Sequence, residues 1–280
     1  VIWNAPGANS SDSMPLGNGD IGLNVWTEPG GDIVFYIAKT DAVDALGRLL
    51  KVGRVRLSVP DCPMAAQGAD GSEIPFVQTL DLPNGRIVVK WGEDANRAEA
   101  VVWVDAHRPV IHVEVKTARP SKVQAAVELW RNERRRITNA TELDSIAMTV
   151  SGREGEGAPD RFYPLFEDPD TVLDEPGDAV IWYHRNEASI WPKVLEVQEL
   201  PEYAAACPER DPLLGRTFGG LLEGAGMKRP AEGVVALESA APATEHHIRV
   251  HVLTDRTKTP EAWVSRNKAL RKEAGGVDAR

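Results

Sequence analysis

Short apolar segments that alternate with polar residues, separated by glycine and proline, constrain this chain more than any other feature of its sequence. In Val110 to Lys116, Ile111, Val113 and Val115 interleave with His112, Glu114 and Lys116. A period of two puts one set on a buried face and the other on a wet one, as in a layer of an antiparallel sandwich. Similar segments run Ile21 to Trp26, Ile33 to Ala38, Arg54 to Val59, Val77 to Leu82, Arg86 to Trp91, Ala98 to Val104, Val123 to Trp130, Ala179 to His184, Val234 to Glu238 and His247 to Leu253. The 24 glycines and 20 prolines fall largely between them, which is the punctuation of turns.

Two turns are readable. Pro83-Asn84-Gly85 joins two strand candidates, with Asn-Gly supplying positive φ, and Glu28-Pro29-Gly30-Gly31 joins another pair. The fold class expected is all-β, a large two-sheet antiparallel β-sandwich. Helical periodicity is almost absent until the end, where Thr259 is placed as an N-cap, Pro260 in the first turn and Gly275-Gly276 as a stop. Trp263 and Leu270 share a face of that helix. Ser151 to Asp178, rich in glycine, proline and acids, reads as a long functional loop or a disordered insert, and in Pro201 to Pro230 extended strand and loop cannot be separated.

At 280 residues the chain is long enough for one large β domain. Its 42 acidic against 32 basic residues leave a net charge of −10, the wrong sign for a nucleic-acid or anionic-membrane partner. The basic cluster Arg131, Arg134, Arg135 and Arg136 reads as a solvated loop or strand end. No apolar run approaches the roughly 20 residues of a spanning helix. Cys62 and Cys207 form neither a disulfide framework nor a metal knuckle, and buried free thiols are expected.

Gly17-Asn18-Gly19-Asp20-Ile21-Gly22 matches the glycine spacing of a dinucleotide site. That fingerprint works only between a strand and a helix, and here an alternating β segment follows, so the match is rejected. His246 and His247 are adjacent and point to opposite faces of a strand, and no metal-binding spacing is present. Glu167-Asp168-Pro169-Asp170 lacks the calcium-loop pattern and reads as a solvated loop. No serine-nucleophile, phosphate-loop or kinase signature occurs, and no cofactor or metal is expected. Of the eight tryptophans, Trp103, Trp130 and Trp182 are assigned to core or sheet-face packing, whereas Trp3 and Trp191, beside turn residues, are surface candidates. The densest polar and aromatic cluster is Ile181-Trp182-Tyr183-His184-Arg185-Asn186-Glu187, at a strand end where sites are commonly built.

Ser13-Met14-Pro15-Leu16-Gly17-Asn18-Gly19-Asp20-Ile21-Gly22 resembles the opening of the N-terminal β-domain in family-95 glycoside hydrolases, the α-L-fucosidase group. A closer resemblance, from Trp3 to about Asp255, is to the bacterial domain-of-unknown-function family 5703. It is carried by Lys39-Thr40-Asp41-Ala42, Gly47-Arg48-Leu49-Leu50-Lys51, Trp182-Tyr183-His184-Arg185-Asn186 and Gly215-Arg216-Thr217-Phe218-Gly219-Gly220. Val43 departs from the pattern, where an aromatic residue is expected.

The resemblance implies a supersandwich like that of galactose mutarotase over residues 1–258, then a linker helix over 259–280 leading to an α/α barrel that carries the catalytic carboxylates in the related fucosidases. It implies an N-terminal module of a larger carbohydrate-active protein, without glycosidase activity by itself, whose partner is that downstream barrel. Export to the periplasm or medium is expected on the same ground. Asn18, Asp20, Asp41, His184, Arg185, Asn186 and Arg216 are the expected cleft-facing residues, with no catalytic residue in this chain. Two other readings stay open: a self-sufficient sugar-binding module using Trp3 or Trp191, and a mutarotase-like enzyme pairing His184 with Asp20 or Glu187.

Overall fold

A computed structural model describes residues 1–64, 74–139, 141–142, 146, 165–173, 177–206 and 210–274. Most of Ser151 to Asp178, Cys207 and residues 275–280 therefore lie outside the described residues. In chain order the strands are β1 (Ile2–Trp3), β2 (Met14–Gly17), β3 (Ile21–Thr27), β4 (Ile33–Val43), β5 (Leu49–Ser58), β6 (Phe76–Asp81), β7 (Arg86–Trp91), β8 (Ala98–Val104) and β9 (Val110–Ser121). They continue with β10 (Gln124–Glu128), β11 (Arg135–Arg136), β12 (Phe166–Glu167), β13 (Thr171–Val172), β14 (Ala179–Arg185), β15 (Arg216–Gly224), β16 (Met227–Lys228), β17 (Ala236–Ser239) and β18 (Ala243–Arg256). The helices are α1 (Trp191–Val197), α2 (Pro201–Ala206) and α3 (Pro260–Ala274).

Two large antiparallel sheets pack face to face, as the alternation requires. The nine-stranded sheet has the order β1-β6-β7-β8-β9-β18-β15-β14-β13, and the seven-stranded sheet the order β16-β17-β10-β5-β4-β3-β2. Inward residues of both, such as Phe35, Ile37 and Val55 facing Val89, Val113 and Val250, build one continuous core. Trp182 closes it by donating its indole N–H to the carbonyl of Val52 in the opposite sheet at 2.9 Å.

The turn chemistry is partly as read. Gly31 has φ +97° between β3 and β4. Between β6 and β7, Leu82–Asn84 form a short 3-10 turn and only Gly85 takes positive φ, at +59°; the loop is thus longer than a two-residue hairpin. Helices α1 and α2 correct the expectation that helix is confined to the C-terminus, and β15 settles part of the unassigned Pro201 to Pro230 stretch. Helix α3 begins as expected, the Thr259 hydroxyl accepting from the Ala262 amide at 3.3 Å. It lies on the outer face of the large sheet, burying Trp263 against Tyr183 and Leu221.

Arg131 is a second correction. It is 4% exposed and pairs with buried Asp170 at 2.8 Å, while Glu167 binds Arg48 at 3.0 Å and Arg135 at 2.8 Å. The basic and acidic stretches pair with one another; Arg134, Arg135 and Arg136 stay exposed, as a solvated strand end would, while the Arg131–Asp170 pair is buried and neutralised. Cys62 is buried and free, its Sγ 3.4 Å from the Ser121 hydroxyl.

Candidate functional site

The chain ends of β2, β4, β8 and β14 and the starts of β3, β5, β9 and β15 gather at one end of the sandwich, where side chains of the predicted motifs stitch the two sheets together. In the β2–β3 turn, the Asn18 side-chain oxygen accepts from the backbone amides of Asp20 and Ile21 at 3.0 and 2.8 Å. Its amide group donates to the carbonyl of Asp105, in the β8–β9 turn of the other sheet, at 2.8 Å. A turn joins strand to strand here, so the glycine spacing serves a hairpin and no dinucleotide.

The turn presents Asp20 to Lys39, an inward-facing residue near the end of β4. The Lys39 ammonium, on a side chain only 8% exposed, donates to Asp20 at 2.8 Å and to Asp41 at 3.0 Å, and both carboxyl groups are more than two-fifths exposed. The Thr40 hydroxyl adds a hydrogen bond to Asp20 at 3.0 Å. From the large sheet, Arg216 donates to the carbonyl of Asp41 at 3.0 Å. Asn186 donates to the carbonyls of Val43 and Leu213 at 3.1 and 3.0 Å. The result is a rim on which two carboxyl groups share one buried amine, while backbone carbonyls are held by Arg216 and Asn186.

Asn18, Asp20, Asp41, Asn186 and Arg216 are thus brought to one end of the molecule. His184 and Arg185, consecutive on β14, point to opposite faces. His184 faces inward, 5% exposed, stacked on Phe218 with Nδ1 3.1 Å from Asp170, whereas Asp20 pairs with Lys39 and Glu187 with Arg185. Arg185 faces the helix layer and donates to the carbonyls of Gly215, Thr257 and Lys258 at 3.1, 3.0 and 3.2 Å, fastening the segment that leads into α3. Glu187 pairs with Arg185 at 3.3 Å. Arg185, Asn186 and Glu187 line a hollow of about 480 Å³ with Gly215, Arg256 and Lys258.

Sequence reasoning missed Asp170 as the partner of His184 and Arg131; the two contacts span 14 and 39 residues, and no local spacing announces them. It also assigned Trp130 to packing, whereas that ring is 48% exposed. Trp3, 40% exposed, is at the surface as expected. Trp191 is half-buried, with its indole nitrogen inside the protein. A cleft of about 900 Å³ lies at the other end of the sandwich between Phe76, Lys90, Arg97, Glu99 and Lys116, and includes none of the predicted residues. Among the described residues no group of three or more histidine, cysteine or acidic side chains is placed to hold a metal ion, and no helix is long and apolar enough to cross a membrane.

This architecture and motif set match one protein family. Residues 2–279 fit the family described as "Domain of unknown function (DUF5703)", and the chain belongs to it. Among solved structures the chain is similar to a "Putative kojibiose phosphorylase from human microbiome", at 12% identity and a TM-score of 0.43; the match covers 96% of this chain and 31% of that one. No curated protein matches it.

Proposed function

We propose that this chain is the non-catalytic N-terminal β-sandwich module of a larger carbohydrate-active, glycoside-hydrolase-like protein, and that its stitched end forms one wall of a cleft completed by a downstream α/α barrel. The observation that carries the reading is how the shared motif residues are used. Asn18, Asn186 and Arg216 are committed to carbonyls of the opposite sheet, which makes a rigid rim. Asp20 and Asp41 are bound to a single ammonium, unlike two catalytic carboxyl groups facing each other across a sugar. Their exposed oxygens remain available as acceptors for hydroxyl groups of a ligand held by the neighbouring domain. The resemblance of the Pro15-Leu16-Gly17-Asn18-Gly19 run to family-95 glycoside hydrolases supplies the ligand class.

The test compares the 280-residue chain with the longer native polypeptide on aryl glycosides. Hydrolysis is expected from the longer protein alone, and Asp20→Asn with Asp41→Asn should raise its KM several-fold with a smaller change in kcat. Hydrolysis by the 280-residue chain that persists through further purification would end the non-catalytic reading.

A further inference from the structure

Among the described tryptophans of this sandwich, Trp26, Trp91, Trp182 and Trp263 are at most 2% exposed, and Trp130 is 48% exposed. Leaving that much indole in water forgoes the stabilisation of burial, yet the ring is not loose. The Arg131 guanidinium sits 5.4 Å from its centroid, and Arg131 is itself fixed by Asp170 at 2.8 Å and the carbonyl of Lys51 at 2.9 Å. Tyr36 meets Trp130 edge-on at 5.9 Å and leans on buried Trp26 at 5.1 Å. A file of three aromatic rings therefore runs from a buried anchor to an exposed end across the outer face of the small sheet.

The surroundings of this ring are polar. Tyr36, Arg54 and Glu128 are direct cross-strand partners on β4, β5 and β10; Arg54 is ion-paired with Glu128 and lies 5.7 Å from the Tyr36 centroid. A protein partner would call for a broad apolar area, whereas here one immobilised aromatic surface adjoins planar hydrogen-bonding groups. That combination fits a pyranose ring, whose C–H face stacks on an aromatic plane while its hydroxyls bind a guanidinium and a carboxylate. Because the ring is already fixed, little side-chain entropy is lost on binding.

We propose that Trp130 and Tyr36, flanked by Arg54 and Glu128, form a carbohydrate-binding platform that takes one sugar ring of a glycan. The site takes its ligand class from the reading above but lies on a different surface from the stitched end, and needs no downstream domain. Saturation-transfer NMR on the 280-residue chain with methyl α-L-fucopyranoside, methyl β-D-galactopyranoside and methyl β-D-glucopyranoside tests it. Transfer to the ring C–H protons of at least one is expected, weakened about tenfold or more by Trp130→Ala, retained by Trp130→Tyr and unchanged by Trp3→Ala. No transfer from any of the three, or transfer undiminished in a folded Trp130→Ala variant, overturns the platform. So does absence of transfer together with protection of Trp130 from oxidation in the longer polypeptide, which would assign the face to a domain contact. Each of these failures leaves the hydrolysis comparison for the cleft wall standing, because that readout does not involve Trp130.

Discussion

His112 and His247 stack on the outer face of the large sheet with their rings 5.3 Å apart, and Nδ1 of the first lies 3.1 Å from Nε2 of the second, so one ring donates to the other. Trp103 stacks on both rings, at 4.8 Å from His112 and 6.1 Å from His247. Burial is the leading cause that depresses both imidazoles, taking His112 to about 4 from an ordinary 6.5. The His247 ring and Arg249 lower His112 further against a pull from Asp105, and Arg249 lowers His247 against Glu114 and Glu223.

From this pair follows a pH dependence of stability. Between pH 6.5 and about 4 the unfolded chain binds protons that the native pair refuses, so stability falls as pH drops through that window and is flat above it. His112 alone accounts for about 2–3 kcal/mol across the window. Denaturant melts at stepped pH should show the loss, and His112→Phe should flatten most of the slope; an unchanged slope would contradict the assignment. Carboxyl groups held low by arginine partners, such as Glu142 beside Arg135 and Asp178 beside Arg271, act in a more acid range.

Gly220 marks a close approach of β15 to the Trp182 ring. A Cβ built there would sit 2.5 Å from two ring carbons, and the ring cannot retreat without losing its bond to Val52. Gly220→Ala should cost about 1–3 kcal/mol by overpacking. Pairing it with Trp182→Phe should give less than the sum of the two single losses, which a double-mutant cycle by chemical unfolding measures.

Arg131→Met should be among the most damaging single changes, at about 3–5 kcal/mol, because it takes the guanidinium from the buried Asp170 and leaves it beside His184. Removing the carboxylate as well, in Arg131→Met with Asp170→Leu, should recover part of the loss. Thermal melts of the parent, Arg131→Met, Asp170→Leu and the double variant decide it, and full additivity would contradict the coupling.

In the β2–β3 turn, Asn18→Ala removes two acceptor contacts and one donor contact, with an expected loss of about 1–3 kcal/mol. Asn18→Asp keeps the acceptors and loses only the donation to Asp105, so it should fall between the variant and the parent. Equal stability of the two variants would show that the cross-sheet bond, and not the turn, matters.

The sequence was most informative where one face is wet. Strand β8 was read to the residue because Ala98, Ala100, Val102 and Val104 alternate with Glu99, Val101 and Trp103. Strand β15 was unreadable because it is covered on both sides, by the core and by α3, and its run Phe218-Gly219-Gly220-Leu221-Leu222 carries no alternation. Helices α1 and α2 escaped notice because they are only seven and six residues long, and α1 lacks a side-chain N-cap bond. Of the stitched end, Asn18, Asp20, Asp41, Asn186 and Arg216 stood out as motif residues. Their bonding partners were hidden because a backbone carbonyl leaves no signature in a sequence, and the acid that pairs with Arg131 and His184 lies in a stretch without periodicity.

The position of β18 between β9 and β15 governs the order in which the molecule assembles. The last of the described strands joins a group of earlier strands, β1 and β6 to β9, to a later one, β13 to β15. Until residues 243–256 are available, the large sheet exists as two fragments whose unpaired edges, β9 and β15, lie in the middle of the finished sheet. Pairing β18 with β9 closes loops of more than a hundred residues, a slow kind of contact. During synthesis on the ribosome the β9 edge, complete at Ser121, stays open until β18 begins at Ala243, whereas the β15 edge, complete at Gly224, waits far less, so β9 is the edge most exposed to aggregation in that interval.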